Sequence, residues 1–560
     1  MKKTQVLKQE TSRTAFAFLL VFALIFIRYC YFEFEYFYQL DDYIQYHNYT
    51  SRGMGIREII SHYGMLGARP LAGVLDIAVW SHFYPAMIFG LAVISAMYAA
   101  SACIFRRVWS RHFGVGWIFI VIYALLPLGF EGTYWMSAAT RIVGGLFFAS
   151  LSLLGFEKWC AGGKIGYAAL YAIAQLCAFA MYEQVLVFSF AATVLLAALN
   201  FKSPHRRALL ALFAPAATIA YFIFTGIFAE TSALFSERVS FALPTGLSYF
   251  TSTLPEVLSQ LKSVFLSGGF YTLFRGFVRG AEIMLGNFNF LYVIAVLALC
   301  AVLFLTARKN EQANKKSFLA IVFGALLAAA PILPFFVIET PWFSMRGAVA
   351  SFCGIALFCD ALLRLLFGRL ADYRTIAAAV ASAAALVFCI SSVSELHDYR
   401  QTAQNDTEFV NLLADALTRD GYVDKNLKIG LLNVEKSYLE KQNYFYHEHI
   451  HGVTESDWAL TGALEARIGT ERPSVVPIEA NPMYVKWNKE AKRLSNFGVL
   501  YLHTEGELVE IATEPEAGGR YGIYSKNDKR AYFGYTYEDG DSAYFISVYR
   551  EGERDAYHGN

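Results

Sequence analysis

The chain has 560 residues, of which 56% are hydrophobic, 16% aromatic and only 17% charged, with a formal net charge of +1. Ordinary soluble domains carry about a quarter charged residues, so this composition excludes a simple soluble protein, and the near-neutral balance supplies no field for nucleic acid. The eight cysteines all lie in or beside apolar segments, which excludes a disulfide scaffold or a cysteine zinc site in the polar C-terminal region.

Residues 1–13 carry Lys2, Lys3, Lys8 and Arg13. The apolar run that follows leaves through Arg28-Tyr29-Cys30-Tyr31-Phe32 rather than through a small-residue cleavage site, and this predicts an uncleaved first span. A helix needs about 20 apolar residues to cross the hydrocarbon core. That length predicts spans at 14–32, 85–105, 113–129, 140–157, 165–181, 184–200, 207–228, 288–307, 317–338, 347–367 and 375–393. The expected fold is mainly α, a polytopic transmembrane bundle of about eleven spans. One helix over 165–200 would be about 50 Å long, too long for a single crossing, so Tyr182-Glu183-Gln184 is read as a polar turn between two short spans.

Six basic clusters fall on alternate loops: Lys2 to Arg13, Arg106/Arg107/Arg111, Lys158/Lys164, Lys202/Arg206/Arg207, Arg308 to Lys316, and Arg369/Arg374. The positive-inside rule makes that side cytoplasmic, together with the N-terminus. The opposite face then receives Leu40-Asp41-Asp42-Tyr43, Gly67-Ala68-Arg69-Pro70-Leu71, Glu131, Glu183, the loop 229–287 and Arg346. Within the first outer loop, Ile56, Ile59, Ile60 and Tyr63 recur at helical spacing and predict a short interfacial helix. The loop 229–287 mixes apolar turns with Lys262, Arg275, Arg279 and Glu282, as a wall of a lipid-facing groove would.

After Val393 the chain becomes charged and Tyr-rich. The expected domains are therefore 1–394, in the membrane, and 395–560, a soluble extracytoplasmic α/β domain. In the latter 407–418 reads as helix, and 428–434, 498–503, 508–512 and 543–548 read as strands.

Two adjacent carboxylates beside hydrocarbon are costly without a task. Asp41 and Asp42 suit a general base and its orienter, or a solvated helix-end pair. Arg69, followed by a helix-starting Pro70, suits a forked phosphate ligand or a snorkelling interfacial arginine. Glu131, Trp135, Arg141 and Glu183 sit at outer mouths of spans, where a pocket and an aromatic belt are both natural. Arg346, after Pro341-Trp342-Phe343, is either a counter-charge for a lipid phosphate or an interface anchor. His447-Glu448-His449-Ile450-His451 matches the spacing of a zinc-protease helix, but Gly452 and Val453 follow at once and surface histidines are the better reading.

The order of these motifs resembles the multi-span GT-C glycosyltransferases, and is most similar to the serotype-converting O-antigen glucosyltransferase family. The matching stretches are Leu40-Asp41-Asp42-Tyr43, Gly67-Ala68-Arg69-Pro70-Leu71 and Tyr182-Glu183-Gln184, within residues 10–395. Glu183 departs from the family's Tyr-Gln element, and residues 395–560 find no counterpart. The resemblance implies a polyprenyl-phosphate-linked sugar donor, glucose or another hexose, and a cell-envelope glycan acceptor. Transfer would proceed by inverting single displacement at the outer face of a bacterial-type inner membrane. It implies Asp41 as base with Asp42 as orienter; Arg69 or Arg346 would stabilise the leaving phosphate, and Arg141 and Glu183 are further candidates for binding the donor phosphate or substrate. No cofactor is implied, and a divalent metal is not indicated. A lipid-carried donor also agrees with the cytoplasmic origin of nucleotide sugars. The competing expectations are a transporter or flippase, which would show deep charges and internal repeats, and a non-enzymatic receptor or assembly protein.

Overall fold

The chain divides into two units, one built from Met1–Tyr36 and Gly55–Asp398, the other from Phe37–Met54, Tyr399–Gln442 and Ile450–Asn560. The computed structural model describes residues 2–53, 55, 69–201, 246, 249–310, 317–338, 341–434, 437, 450–478, 496–515, 520–527, 531–539 and 542–550. The first unit's long stretch ends at Asp398 and the second unit resumes at Tyr399; the second unit also takes in the segment that carries Asp41 and Asp42.

The first unit is helical. Among the described residues, six helices are long and apolar enough to cross a membrane: Met87–Phe113, Met136–Gly162, Phe290–Lys309, Ser317–Val337, Met345–Phe367 and Tyr373–Arg419. A bent pair, Trp117–Leu125 and Pro127–Tyr134, makes a seventh if taken as one span. Three further expected spans are shorter apolar helices, Ser12–Ile27, Ile165–Phe179 and Glu183–Leu199. The span expected at 207–228 and the interfacial helix expected at 56–63 lie outside the described residues. The described part of the loop 229–287 is helical from Tyr249 to Gly286.

The bent pair turns by 41° at Pro127. A proline pushes the preceding residue out of the helical region, and Leu126 is extended at ψ 120°. The break frees the carbonyl of Leu125, and Arg28, 1% exposed, donates to it from Nη1 at 3.1 Å. The same guanidinium donates to Tyr29 Oη at 2.9 Å, and that hydroxyl donates to Thr133 Oγ1 at 3.1 Å, beyond the break. A cation at a helix C-terminus also meets the favourable end of the dipole.

Elsewhere the helices approach through small residues. A Cβ at Gly324 would lie 2.6 Å from the backbone nitrogen of Phe358, and one at Gly354 would lie 2.6 Å from the backbone of both Gly324 and Leu327. Close backbone approach at such contacts replaces the hydrophobic force that lipid cannot supply.

Among the described residues, the second unit holds a seven-stranded sheet in the order β2-β1-β3-β4-β5-β6-β7. Its strands are β1 Lys428–Leu432, β2 Ser474–Ile478, β3 Val499–Thr504, β4 Glu507–Pro515, β5 Arg520–Ser525, β6 Ala531–Asp539 and β7 Ser542–Arg550. β1 runs parallel to β2 and β3, and every later pair is antiparallel. A parallel neighbour needs a crossover, which the Asp457–Ile468 helix provides between β1 and β2. That helix and the end of Tyr373–Arg419 cover one face through Leu413, Leu417, Leu460 and Leu464 against Ile429, Leu431 and Tyr501. Leu432, Ile478, Leu500, Leu502 and Ile523 form a second cluster.

The four strands expected from the sequence are present, with shifted ends. β2, β5, β6 and the Asp457–Ile468 helix were not expected. In β2 the reason is Pro477, which argues against a central strand; β2 is an edge strand, where a proline is tolerated.

Adding bulk at the glycine contact should separate the two helices. Gly354→Leu is expected to lower stability by about 1–3 kcal/mol, the usual range for overpacking. Gly166→Ala, where a Cβ meets nothing within 4 Å, should be neutral or slightly stabilising. Thermal unfolding of the two variants in the same detergent checks the difference.

Candidate functional site

In the first unit, charged side chains gather where several helices begin. Arg69 immediately precedes the Pro70–Ala78 helix, whose Leu71 N–H donates to Ala180 O at 3.2 Å. This bond brings Arg69 to the turn before the Glu183–Leu199 helix. Arg69 grips Glu183 with two parallel bonds, Nε to Oε1 at 2.8 Å and Nη2 to Oε2 at 2.7 Å. Its guanidinium also lies 4.4 Å from the centre of the Tyr182 ring. Burial weakens the charge on Arg69, but Glu183 more than offsets it and the pKa is raised. Glu183 is half exposed, with 51% of its side chain accessible.

Nearby, Arg141 Nη2 donates to Asp76 Oδ2 at 2.7 Å, and both are buried. Arg141 also donates to the carbonyl of Ser137. The Asp76 Oδ1 atom has no partner among the described residues. Burial pushes the Asp76 carboxyl up to about 6, even though Arg141 pulls it down. Arg141 stands close enough to Arg69 for the two cations to repel.

Arg346 completes the group. Its backbone N–H donates to Glu131 Oε2 at 2.8 Å, and its Nε lies 3.8 Å from Glu131 Oε1. The guanidinium is 5.3 Å from the ring centres of both Trp135 and Trp342, so the expected belt tryptophan serves as a cation-π partner. A Cβ on Gly347 would sit 2.9 Å from Gln184 Nε2, and one on Gly132 would sit 3.1 Å from Arg346 Cα. The Arg346 turn therefore abuts both the start of the Glu183 helix and the Glu131 turn. Arginines beside helix N-termini make an arrangement that favours anions.

Asp41 and Asp42 belong to the second unit. Their environments differ sharply. Asp42 N–H donates to Gln39 O at 2.9 Å, and Gln39 N–H donates back to Asp42 Oδ2 at 3.0 Å. Asp42 is 0% exposed, so it is committed to closing this turn. Asp41 is half-buried, and its Oδ1 accepts from the Trp458 indole N–H at 2.8 Å. Just before them the backbone is strained: Leu40 has φ 35°, in the left-handed region. Such strain costs on the order of 1–3 kcal/mol and concentrates at functional sites. Gln39 Nε2 anchors the turn to Tyr399 O at 3.2 Å.

The Asp457–Ile468 helix holds the rest of this segment. Trp458, Gly462 and Glu465 lie at helical spacing on one face. A Cβ on Gly462 would touch Ile44 Cγ1 at 2.8 Å. Glu465 accepts from Asn48 Nδ2 at 2.6 Å and pairs with Arg52.

The structure thus brings Arg69, Arg141, Glu183 and Arg346 together in one unit and places Asp41 and Asp42 in the other. Sequence reasoning missed Asp76 and Trp458. Asp76 was signalled by a lone carboxylate inside an apolar helix, whereas nothing local connects Trp458 to Asp41. His447, Glu448 and His449 lie outside the described residues. His451 Nδ1 is 3.0 Å from Glu455 Oε2, and no cluster of three metal-ligating side chains occurs among the described residues.

Asp76 carries a pH prediction. Its folded pKa lies above the ordinary 3.8, so the folded protein holds this proton more tightly than the unfolded chain. The contribution is full below about pH 4, falls as pH rises and is lost above about 6. The stability difference between wild type and Asp76→Asn should therefore shift against wild type between those limits and stay flat at higher pH. Thermal midpoints of both proteins across pH 4–8 check it.

No family model matches the chain, and no curated protein matches it.

Proposed function

We propose that the protein is a membrane glycosyltransferase that moves a hexose from a polyprenyl-phosphate-linked donor to a cell-envelope glycan. The observation that carries this reading is the gathering of Arg69, Arg141 and Arg346 at helix starts in an apolar helical unit. A lipid-borne sugar phosphate presents an anion beside hydrocarbon, and forked guanidiniums next to helix N-termini suit it. Arg69 is the most adaptable of the three, because its partner Glu183 is half exposed and can yield to a phosphate. Arg141 is held in place by buried Asp76 and lies close enough to act electrostatically on Arg69.

Asp41 is the proposed base. The acceptor hydroxyl oxygen attacks the anomeric carbon of the donor, and its proton passes to Asp41. The bond from that carbon to the phosphate oxygen breaks, and the electron pair leaves with the phosphate on its polyprenyl carrier. Attack opposite the leaving group inverts the configuration. The arginines stabilise charge that develops on the leaving phosphate. The basic clusters on alternate loops support about eleven spans, a cytoplasmic N-terminus and an extracytoplasmic second unit in a bacterial-type inner membrane.

The two carboxylates should separate in mutagenesis. Asp41→Asn is expected to slow transfer by at least about 100-fold with folded protein retained, the usual contribution of a general base. Asp42→Ala should instead lower stability by about 1–2 kcal/mol through the lost turn bond. Transfer measured in vesicles with a polyprenyl-phosphate hexose decides this, and near-normal transfer by Asp41→Asn would remove Asp41 from the chemistry. Arg69→Ala should raise the donor KM about tenfold, as loss of a charge-assisted bond does. Sugar transfer from a soluble nucleotide sugar alone, in lipid-free protein, would overturn the lipid donor.

A further inference from the structure

Among the large hydrophobic side chains described in the second unit, Trp458 is one of two that stand exposed, at 42% accessibility. An exposed tryptophan is commonly mobile, but this one is held. Its indole N–H is bonded to Asp41 at 2.8 Å, and it opens a helix capped by Ser456, whose Oγ accepts from Ala459 N–H at 3.3 Å. The ring is thus held at its polar edge while much of the residue stays accessible, next to a half-buried carboxylate on a strained turn.

We propose that Trp458 and Asp41 form a monosaccharide platform that holds the acceptor glycan. A hexose is amphipathic in the matching sense. One ring face presents C–H groups that pack on an aromatic surface, and its rim presents hydroxyls that donate to a carboxylate. Trp458 supplies the first partner and Asp41 Oδ2 the second, while Oδ1 stays on the indole. A phosphate would be repelled by Asp41, and a purely apolar ligand would offer no donor to Oδ2. Trp458 is therefore a positioning residue with two separable duties: its face stacks the sugar, and its N–H orients Asp41. This rests on the transferase reading for the sugar's fate, but not for its binding.

The test uses the full chain in nanodiscs, labelled with 5-fluorotryptophan. Its eight tryptophans give separate fluorine resonances, and Trp458 is assigned by the signal lost in Trp458→Phe. The probe is envelope polysaccharide isolated from cells lacking the chain. The Trp458 resonance should shift on titration, and Asp41→Asn should weaken the midpoint about tenfold. In transfer assays, Trp458→Ala should raise the acceptor KM about tenfold, in line with the loss of an aromatic face, without changing the donor KM. Trp458→Phe keeps the ring but loses the N–H, so it should lower kcat more than it raises KM. A resonance that shifts in a protein without transferase activity would retain the sugar platform and discard the transferase. Active transfer with an unmoved Trp458 resonance, or an unchanged acceptor KM in folded Trp458→Ala, would overturn the platform.

Discussion

A helix broken inside an apolar bundle leaves a carbonyl that lipid cannot satisfy. Here the break at Pro127 frees Leu125 O, and buried Arg28 supplies the donor. Much of the first unit's site follows from that bond. The second half of the broken helix carries Glu131, which holds the backbone of Arg346. The Arg346 turn packs against Gln184, next to Glu183 and so next to Arg69. Without a donor for Leu125 O the bend would cost several kcal/mol, and the Glu131 turn would lose its support.

The charges around this site are graded by exposure. Arg141 and Asp76 are almost fully buried and locked together, so removing either would strand the other in a medium that penalises lone charge. Arg69 and Glu183 are more exposed, and their attraction is correspondingly weaker in water. The buried pair is therefore the fixed one, and the more exposed pair is the one whose partners can exchange with solvent.

The second unit separates two residues that adjacency left alike. Two neighbouring aspartates look interchangeable, yet one closes a turn and the other faces an indole. The strained Leu40 between Gln39 and Asp41 is tolerable because several bonds over-determine the turn. Asp42 is buried within that turn, and Asp41 stays partly exposed beside Trp458.

Local pattern was enough to recognise a mainly helical, apolar protein with a separate α/β region, because helix period and apolar run length are written in adjacent residues. It was also enough to single out Arg69, Glu183 and Arg346, since charges at the ends of apolar runs are conspicuous. Run length alone did not separate full-length spans from shorter apolar helices, because an apolar run of 15 residues, as in Ile165–Phe179, looks much like one of 20 until its ends are known. It missed strand β2, whose Pro477 is acceptable only at a sheet edge, and edge position is a property of the assembled sheet. The residues by themselves therefore fixed the periodic elements and the candidate charges. Tertiary structure alone decided that Asp41 meets Trp458, that Asp76 answers Arg141, and that the aspartate pair joins the second unit. Those partners lie far apart in the chain, and only the burial of intervening apolar surface brings them within bonding distance.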